Sequence, residues 1–259
     1  MAGSLASTSD GGTLVLTLSN PETRNTLSPE IYAAGVEALN AAENNPEIRS
    51  VVITGEGSMF CAGGNLQRLQ ANRREAPEVQ AESIEGLHNW MDSIRAYPKP
   101  VLAAVEGAAA GAGFSLALAC DFVVAASNAV FVMSYVNVAL SPDGGGSWAL
   151  ARALPRALAN ELLMLGGRID AERLHHLGLL NRVCAPGEAL ATSLRLAAQL
   201  NARAPNALAS IKELVNDAAT NSLSSQLASE RDHFVRNLHH ANGAEGMEAF
   251  LQKRPPQYR

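Results

Sequence analysis

Val101-Leu102-Ala103-Ala104-Val105-Glu106-Gly107-Ala108-Ala109-Ala110-Gly111-Ala112-Gly113-Phe114-Ser115-Leu116-Ala117-Leu118-Ala119-Cys120-Asp121-Phe122-Val123-Val124-Ala125-Ala126 is apolar enough to suggest a membrane span. Two features argue against that reading. Glu106 and Asp121 interrupt the run, and its centre is rich in Gly and Ala rather than Leu. The pattern instead fits a buried strand over Val101–Val105, a glycine-rich loop, a helix over Ala112–Cys120 and a second strand over Phe122–Ala125. A strand–loop–helix–strand unit of this kind belongs to an α/β core.

The elements on either side agree. Upstream, Pro98 and Pro100 end a helix over Val79–Tyr97 with Ile84, Leu87, Met91 and Ile94 in one stripe. Val51–Thr54 reads as a buried strand stopped by Gly55, and Leu14–Leu18 as a strand ended by Asn20-Pro21. Between them a helix starts with Ser28 at the N-cap and Pro29 at its first position, and repeats Ile31, Ala34, Ala38 and Leu39 on one face. Downstream, Val130–Met133 is a further strand. After Pro142 come helices over Ser147–Leu154, Leu158–Leu165 and Asp170–Leu177, with Asp170 as an N-cap, and a last short strand over Leu180–Cys184. From about Gly187 only helices are expected: Ala189–Asn201, Pro205–Asp217, Ser224–Leu238 and Ala244–Lys253. The result is an α/β core followed by a helical tail whose apolar faces suit oligomerisation.

The chain has 259 residues, 47% of them hydrophobic, which is enough for a large core. A formal net charge of -5 with no basic face argues against a nucleic-acid partner. Three cysteines, Cys61, Cys120 and Cys184, cannot all pair and form no C-x-x-C motif, so reduced thiols in a cytoplasmic protein are expected. The small, polar Met1–Asp10 segment has no signal-peptide pattern. The adjacent pairs His175-His176 and His239-His240 cannot share a helix face, so no metal site is expected.

Three glycine-rich segments each follow an expected strand: Gly55–Leu66, Glu106–Phe114 and Ser141–Ser147. Small residues at strand-to-helix turns let main-chain N–H groups approach a ligand closely. A helix N-terminus adds unpaired donors and partial positive charge. Two such turns facing one point would make an oxyanion hole. Taken singly, each could equally be a plain tight turn. Gly111-x-Gly113 opens a G-x-G-x-x-G pattern whose sixth position is Leu116, a weak dinucleotide signal, and no G-K-[ST] follows any glycine run.

With these segments the chain resembles the crotonase superfamily, the enoyl-CoA hydratase/isomerase family. The resemblance rests on Asn20-Pro21-Glu22-Thr23-Arg24-Asn25-Thr26-Leu27, on Phe60-Cys61-Ala62-Gly63 followed by Asn65-Leu66, and on Pro98–Gly107 leading into Leu116–Asp121. It continues through Gly178–Val183 to Glu245–Pro255, in order and over nearly the whole chain. It implies a ββα spiral over residues 1–195 that binds acyl-CoA. Residues 196–259 would form a C-terminal helical trimerisation module, giving a homotrimer or dimer of trimers. The implied oxyanion hole is the main-chain N–H of Gly64 and of Ala112. Arg24, Ala62, Phe250 and Lys253 would contact coenzyme A, which enters as part of the thioester; no separate cofactor is implied.

Two departures bear on mechanism. Hydratases of the family use two glutamates; here those positions are Ser115 and Tyr135. Ser is not a useful base unaided, and a phenol titrates near ~10, far from neutral. Both are candidates to line the acyl pocket or orient substrate. Asp143, in Pro142-Asp143-Gly144-Gly145 before a helix, corresponds to the acidic proton shuttle of isomerase-like members, and a helix N-terminus favours its charged form. The same loop position is the nucleophile in related dehalogenases, whose aromatic residues have no evident counterpart here. The bland alternatives are an N-cap or turn role for Asp143, a helix cap for Asn65, a packed or solvated His88 and an inert Cys61. The expected activity is therefore an isomerase-type double-bond shift. The alternatives are a hydratase or hydrolase using Ser115, Tyr135 and water, or a weak acyl-CoA-binding relative.

Overall fold

The computed structural model describes residues 3–259. The chain opens with a hairpin. Strand β1 (Ser4–Asp10) pairs antiparallel with β2 (Thr13–Ser19) in continuous register from Ser4–Ser19 to Asp10–Thr13. β1 was not expected from the sequence. It is an edge strand, exposed along almost all its length, and supplies hydrogen bonds rather than apolar burial.

Helix α1 (Pro29–Glu43) follows. Ser28 occupies the N-cap position and Pro29 the first turn, as expected, although the Ser28 hydroxyl makes no capping bond. Next come β3 (Ser50–Gly55), α2 (Leu66–Asn72), α3 (Pro77–Ala96) and β4 (Val101–Val105). The glycine-rich loop after β4 contains a three-residue strand, β5 (Ala108–Ala110), before α4 (Ala112–Ala119). β6 (Phe122–Ala126) and β7 (Val130–Val132) are followed by a 3-10 turn over Ser134–Val138. Then come α5 (Gly146–Ala153), α6 (Arg156–Leu165), β8 (Arg168–Asp170), α7 (Ala171–His176) and β9 (Arg182–Cys184). The chain finishes with α8 (Ala189–Asn201), α9 (Pro205–Ala218), α10 (Leu223–Leu238) and α11 (Ala241–Leu251).

Six strands form the main sheet in the order β1-β2-β3-β4-β6-β9, parallel after the first pair, and β5-β7-β8 form a smaller one. Central parallel strands are covered on both faces, which is why β3 and β4 read as unbroken apolar runs. Successive residues serve different cores. Val51, Ile53, Val101, Ala103 and Val105 join the large core under α1, α3 and α4. Val52, Leu102 and Ala104 meet Ala189 and Ala197 of α8 on the other face.

The division expected at residues 195 and 196 thus falls within α8, a helix packed on the sheet. Beyond it, α9 is fastened to the core. Lys212 Nζ donates to Asp121 Oδ2 at 2.8 Å and to the Ile94 carbonyl at 2.8 Å. Arg95 and Asn216 exchange two hydrogen bonds of 2.9 Å. α10 packs on α9 and α11 on α10. The chain end then returns: Arg49 donates to the carbonyls of Asn201 (2.8 Å) and Tyr258 (2.7 Å), and Asn242 and Arg259 bond each other twice. Leu227, Phe234, Phe250 and Leu251 remain exposed on the two last helices.

Candidate active site

The site grows from two turns that touch. The first, Cys61-Ala62-Gly63-Gly64, is pinned from three sides. The Ala62 N–H donates to the Arg24 carbonyl (3.0 Å), the Leu27 N–H to the Gly63 carbonyl (2.8 Å), and Cys61 pairs with β5 through Cys61 N–Ala108 O (3.1 Å) and Ala110 N–Cys61 O (2.9 Å). Asn25, fully buried, holds the opening motif in place. Its amide donates to the carbonyls of Glu56 (2.9 Å) and Met59 (2.7 Å) and its oxygen accepts from the Asn20 N–H (3.0 Å).

The second turn is Gly111-Ala112-Gly113 at the start of α4. Its contact with the first demands glycine at two points. Gly63 has φ +85°, and a methyl there would lie 2.5 Å from the Ala110 carbonyl oxygen and 3.1 Å from the Ala112 nitrogen. A methyl on Gly113 would lie 2.5 Å from the Cys61 carbonyl oxygen. Among the described residues, neither Gly64 nor Ala112 spends its main-chain N–H on a main-chain acceptor. Ala112 is the first residue of α4, where N–H groups have no partner within the helix.

Beside these turns, Ser115, Tyr135 and Asp143 come together from three elements. Ser115 is on α4, Tyr135 on the 3-10 turn and Asp143 in the loop before α5. The Tyr135 hydroxyl donates to Asp143 Oδ1 at 2.6 Å. The buried Ser115 hydroxyl donates to the Asp143 carbonyl at 3.0 Å and lies 3.5 Å from the Tyr135 hydroxyl. Burial, and then the adjacent Asp143 charge, push the Tyr135 phenol well above its usual range, so it stays a protonated donor. Asp143 does not cap α5; Gly145 stands at that N-cap and the Asp143 carboxylate is turned to Tyr135. The loop is held close, since a methyl on Gly144 would lie 3.2 Å from Ser115 Cβ and 3.4 Å from the side chains of Leu87 and Met91 on α3.

Two further polar side chains meet across α1 and α2 and were not singled out in the sequence. Tyr32, on the buried face of α1, has its hydroxyl 3.5 Å from Arg68 Nη2 on α2. Burial holds the Tyr32 phenol above its usual range, opposed by Arg68 and reinforced by the charge of Asp143, so both charged groups lie within electrostatic reach of it. A phenol on an apolar helix face and a cation four residues after Gly64 were the available signals. Each is unremarkable until the fold brings α1 and α2 together.

Other expectations resolve simply. Asn65 caps α2, accepting from the N–H groups of Gln67 (2.9 Å) and Arg68 (3.1 Å). Asp170 caps α7 through the Arg173 N–H at 2.7 Å. Cys61 is fully buried and its thiol is pushed up to about 12 by that burial. Arg24, with φ 59°, borders the first turn through its carbonyl. Phe250, 83% exposed, and Lys253 lie on and just beyond α11 and are not among the side chains gathered round Asp143. A cavity of about 530 Å³ lies elsewhere, between the core and α9, lined by Trp148, Arg152, Leu208 and Lys212 among others.

Residues 8–259 match the family described as enoyl-CoA hydratase/isomerase. The chain belongs to that family. Among its relatives is 1,2-epoxyphenylacetyl-CoA isomerase of Escherichia coli (strain K12), 38% identical over 248 residues, 95% of each chain. Carnitinyl-CoA dehydratase of Salmonella typhi is 36% identical over 261 residues, covering 99% of this chain and 98% of the relative. Among solved structures, an enoyl-CoA hydratase from Polaromonas sp. JS666 superposes with TM-score 0.98 at 80% identity, over 98% of this chain and 99% of that one. The fold is accordingly the crotonase fold. The relatives of this chain within the family thus include both an isomerase and a dehydratase by name.

Proposed function

We propose that this chain moves a double bond within an enoyl-CoA thioester. The thioester carbonyl accepts hydrogen bonds from the N–H groups of Gly64 and Ala112. Asp143 removes a proton from the carbon between the thioester carbonyl and the double bond, leaving a dienolate whose oxygen those N–H groups stabilise. The same carboxyl group returns the proton at the other end, so no atom is gained or lost and the chemistry calls on no cofactor. One such donor is typically worth about 2.7–4 kcal/mol to a transition state of this kind.

The observation that carries this reading is the bonding around Asp143. Ser115 and Tyr135, at the positions where hydratases of the family bear glutamate, both hydrogen-bond to it. A single carboxylate suffices for a shuttle, whereas adding water in the family's usual way uses two. The E. coli relative named an isomerase is consistent with this. The names of the Polaromonas and Salmonella relatives favour a second reading, hydration or dehydration with water held by Ser115 and Tyr135.

Incubation with 3-enoyl-CoA and 2-enoyl-CoA, followed by the position of the double bond and by 3-hydroxyacyl product, separates the two. A shift without hydroxyacyl product is expected. Asp143→Asn abolishes it and leaves coenzyme A binding intact; unchanged turnover in that variant overturns the role of Asp143. For binding, the reading places the coenzyme near Arg24 and Ala62. Phe250 and Lys253 serve it from a neighbouring subunit of a trimer, or dimer of trimers, built through residues of the C-terminal helices.

A further inference from the structure

Arg68 and its neighbour Tyr32 are not used by the proposed proton transfer. Arg68 projects from the first turn of α2, whose N-cap Asn65 directly follows Gly64. The adjacent Leu69 packs near Gly64: a methyl there would be in ordinary contact with Leu69 Cδ1, at 3.7 Å. Arg68 Nε and Nη1 are both inaccessible to solvent and have no hydrogen-bond partner among the described residues. Its third nitrogen, Nη2, makes only a long 3.5 Å contact to Tyr32. Tyr32 in turn feels the Asp143 charge. The guanidinium therefore lies beside Tyr32, in the helical turn that follows the Gly64 N–H to which the acyl-CoA reading assigns the thioester oxygen.

A buried guanidinium with unspent donors is an unusual wall for a hydrocarbon pocket. Buried donors are ordinarily paired, and a buried cation ordinarily has a counter-charge. The acids within reach do not serve. Asp143 is engaged by Tyr135, and Glu30 is exposed at the start of α1. The guanidinium is planar, permanently charged and shaped to give two parallel N–H bonds to a carboxylate. Resting on the acyl-CoA reading above, we propose that Arg68 selects acyl groups carrying a carboxylate distal to the thioester, with Tyr32 as the neutral donor beside it. The acyl class is then a monothioester of a dicarboxylic acid rather than a plain alkyl chain.

The test measures binding first, so that it does not depend on the isomerase chemistry. Saturated acyl-CoAs of equal length, one ending in a methyl and one in a carboxylate, are titrated into the full-length protein by calorimetry, with free coenzyme A as a third ligand. The wild type is expected to favour the carboxylate. In Arg68→Gln that preference ratio falls about 10- to 100-fold, the range for losing a hydrogen bond to a charged group. Arg68→Lys, which keeps the charge without the planar fork, retains part of it, and circular dichroism checks that both variants are folded. A wild type that binds both chains equally overturns the proposal. So does a uniform loss that includes free coenzyme A, which would assign Arg68 to the coenzyme phosphates. If the double-bond shift fails but the carboxylate preference holds, the isomerase reading falls and this one stands.

Discussion

The bond from the Tyr135 hydroxyl to Asp143, at 2.6 Å, lies in the range of O–H donors to an ionised oxygen. Its strength depends on the phenol keeping its proton. Both burial and the neighbouring carboxylate favour the neutral phenol, so its folded value is raised and the donor persists as pH climbs. Tyr135→Phe is expected to lower kcat for the double-bond shift about 10- to 100-fold, since a charge-assisted bond is lost. The wild-type rate should meanwhile show no falling limb due to Tyr135 up to about pH 10, where an ordinary phenol titrates. A pH series of kcat on both proteins checks this; a wild-type decline near that pH that vanishes in the variant would contradict it. At this scale the sequence singled out Ser115, Tyr135 and Asp143 through the family resemblance, and the fold brings the three side by side. The sequence was silent about Tyr32 and Arg68. Their significance depends on a contact between two residues 36 positions apart on different helices, and no local pattern encodes that contact.

Among the elements, the long apolar ones were legible, as were the short strands β7 and β9, whereas β5, β8 and α2 were not. β3, β4, α3 and α4 carry periodic or continuous apolar residues and appear close to their expected bounds. β5 and β8 have three residues each, too few for any period, and exist because β7 lies between them. α2 lacks a buried residue altogether and is set by its Asn65 cap and its place after the first turn. The joint between α9 and the core depends on Asp121, whose Oδ2 accepts from both the Val101 N–H and Lys212 Nζ at 2.8 Å. Asp121→Asn keeps the first acceptor but leaves Lys212 a largely buried, uncompensated cation. Stability should fall by about 3 kcal/mol, measured by urea denaturation. Lys212→Met, which removes the stranded charge, should restore part of the loss when combined with it.

The whole molecule leaves the large apolar side chains of Leu227, Phe234, Phe250 and Leu251 exposed on α10 and α11. Under the proposed assembly these faces meet neighbouring subunits. Leu227→Glu with Phe234→Glu is expected to shift the sedimentation coefficient to that of a single chain without changing its circular dichroism. The boundary expected between the core and the proposed oligomerisation module lies inside α8, which has the same helical pattern as the helices after it yet covers a sheet face. The return of the chain end to Asn242 and Arg49 has a practical side. Residues fused after Arg259 would begin inside a clasp that joins the last helix to the neighbourhood of β3, so a purification handle placed there would pull against the fold itself. One placed before the exposed first strand would leave that fastening untouched.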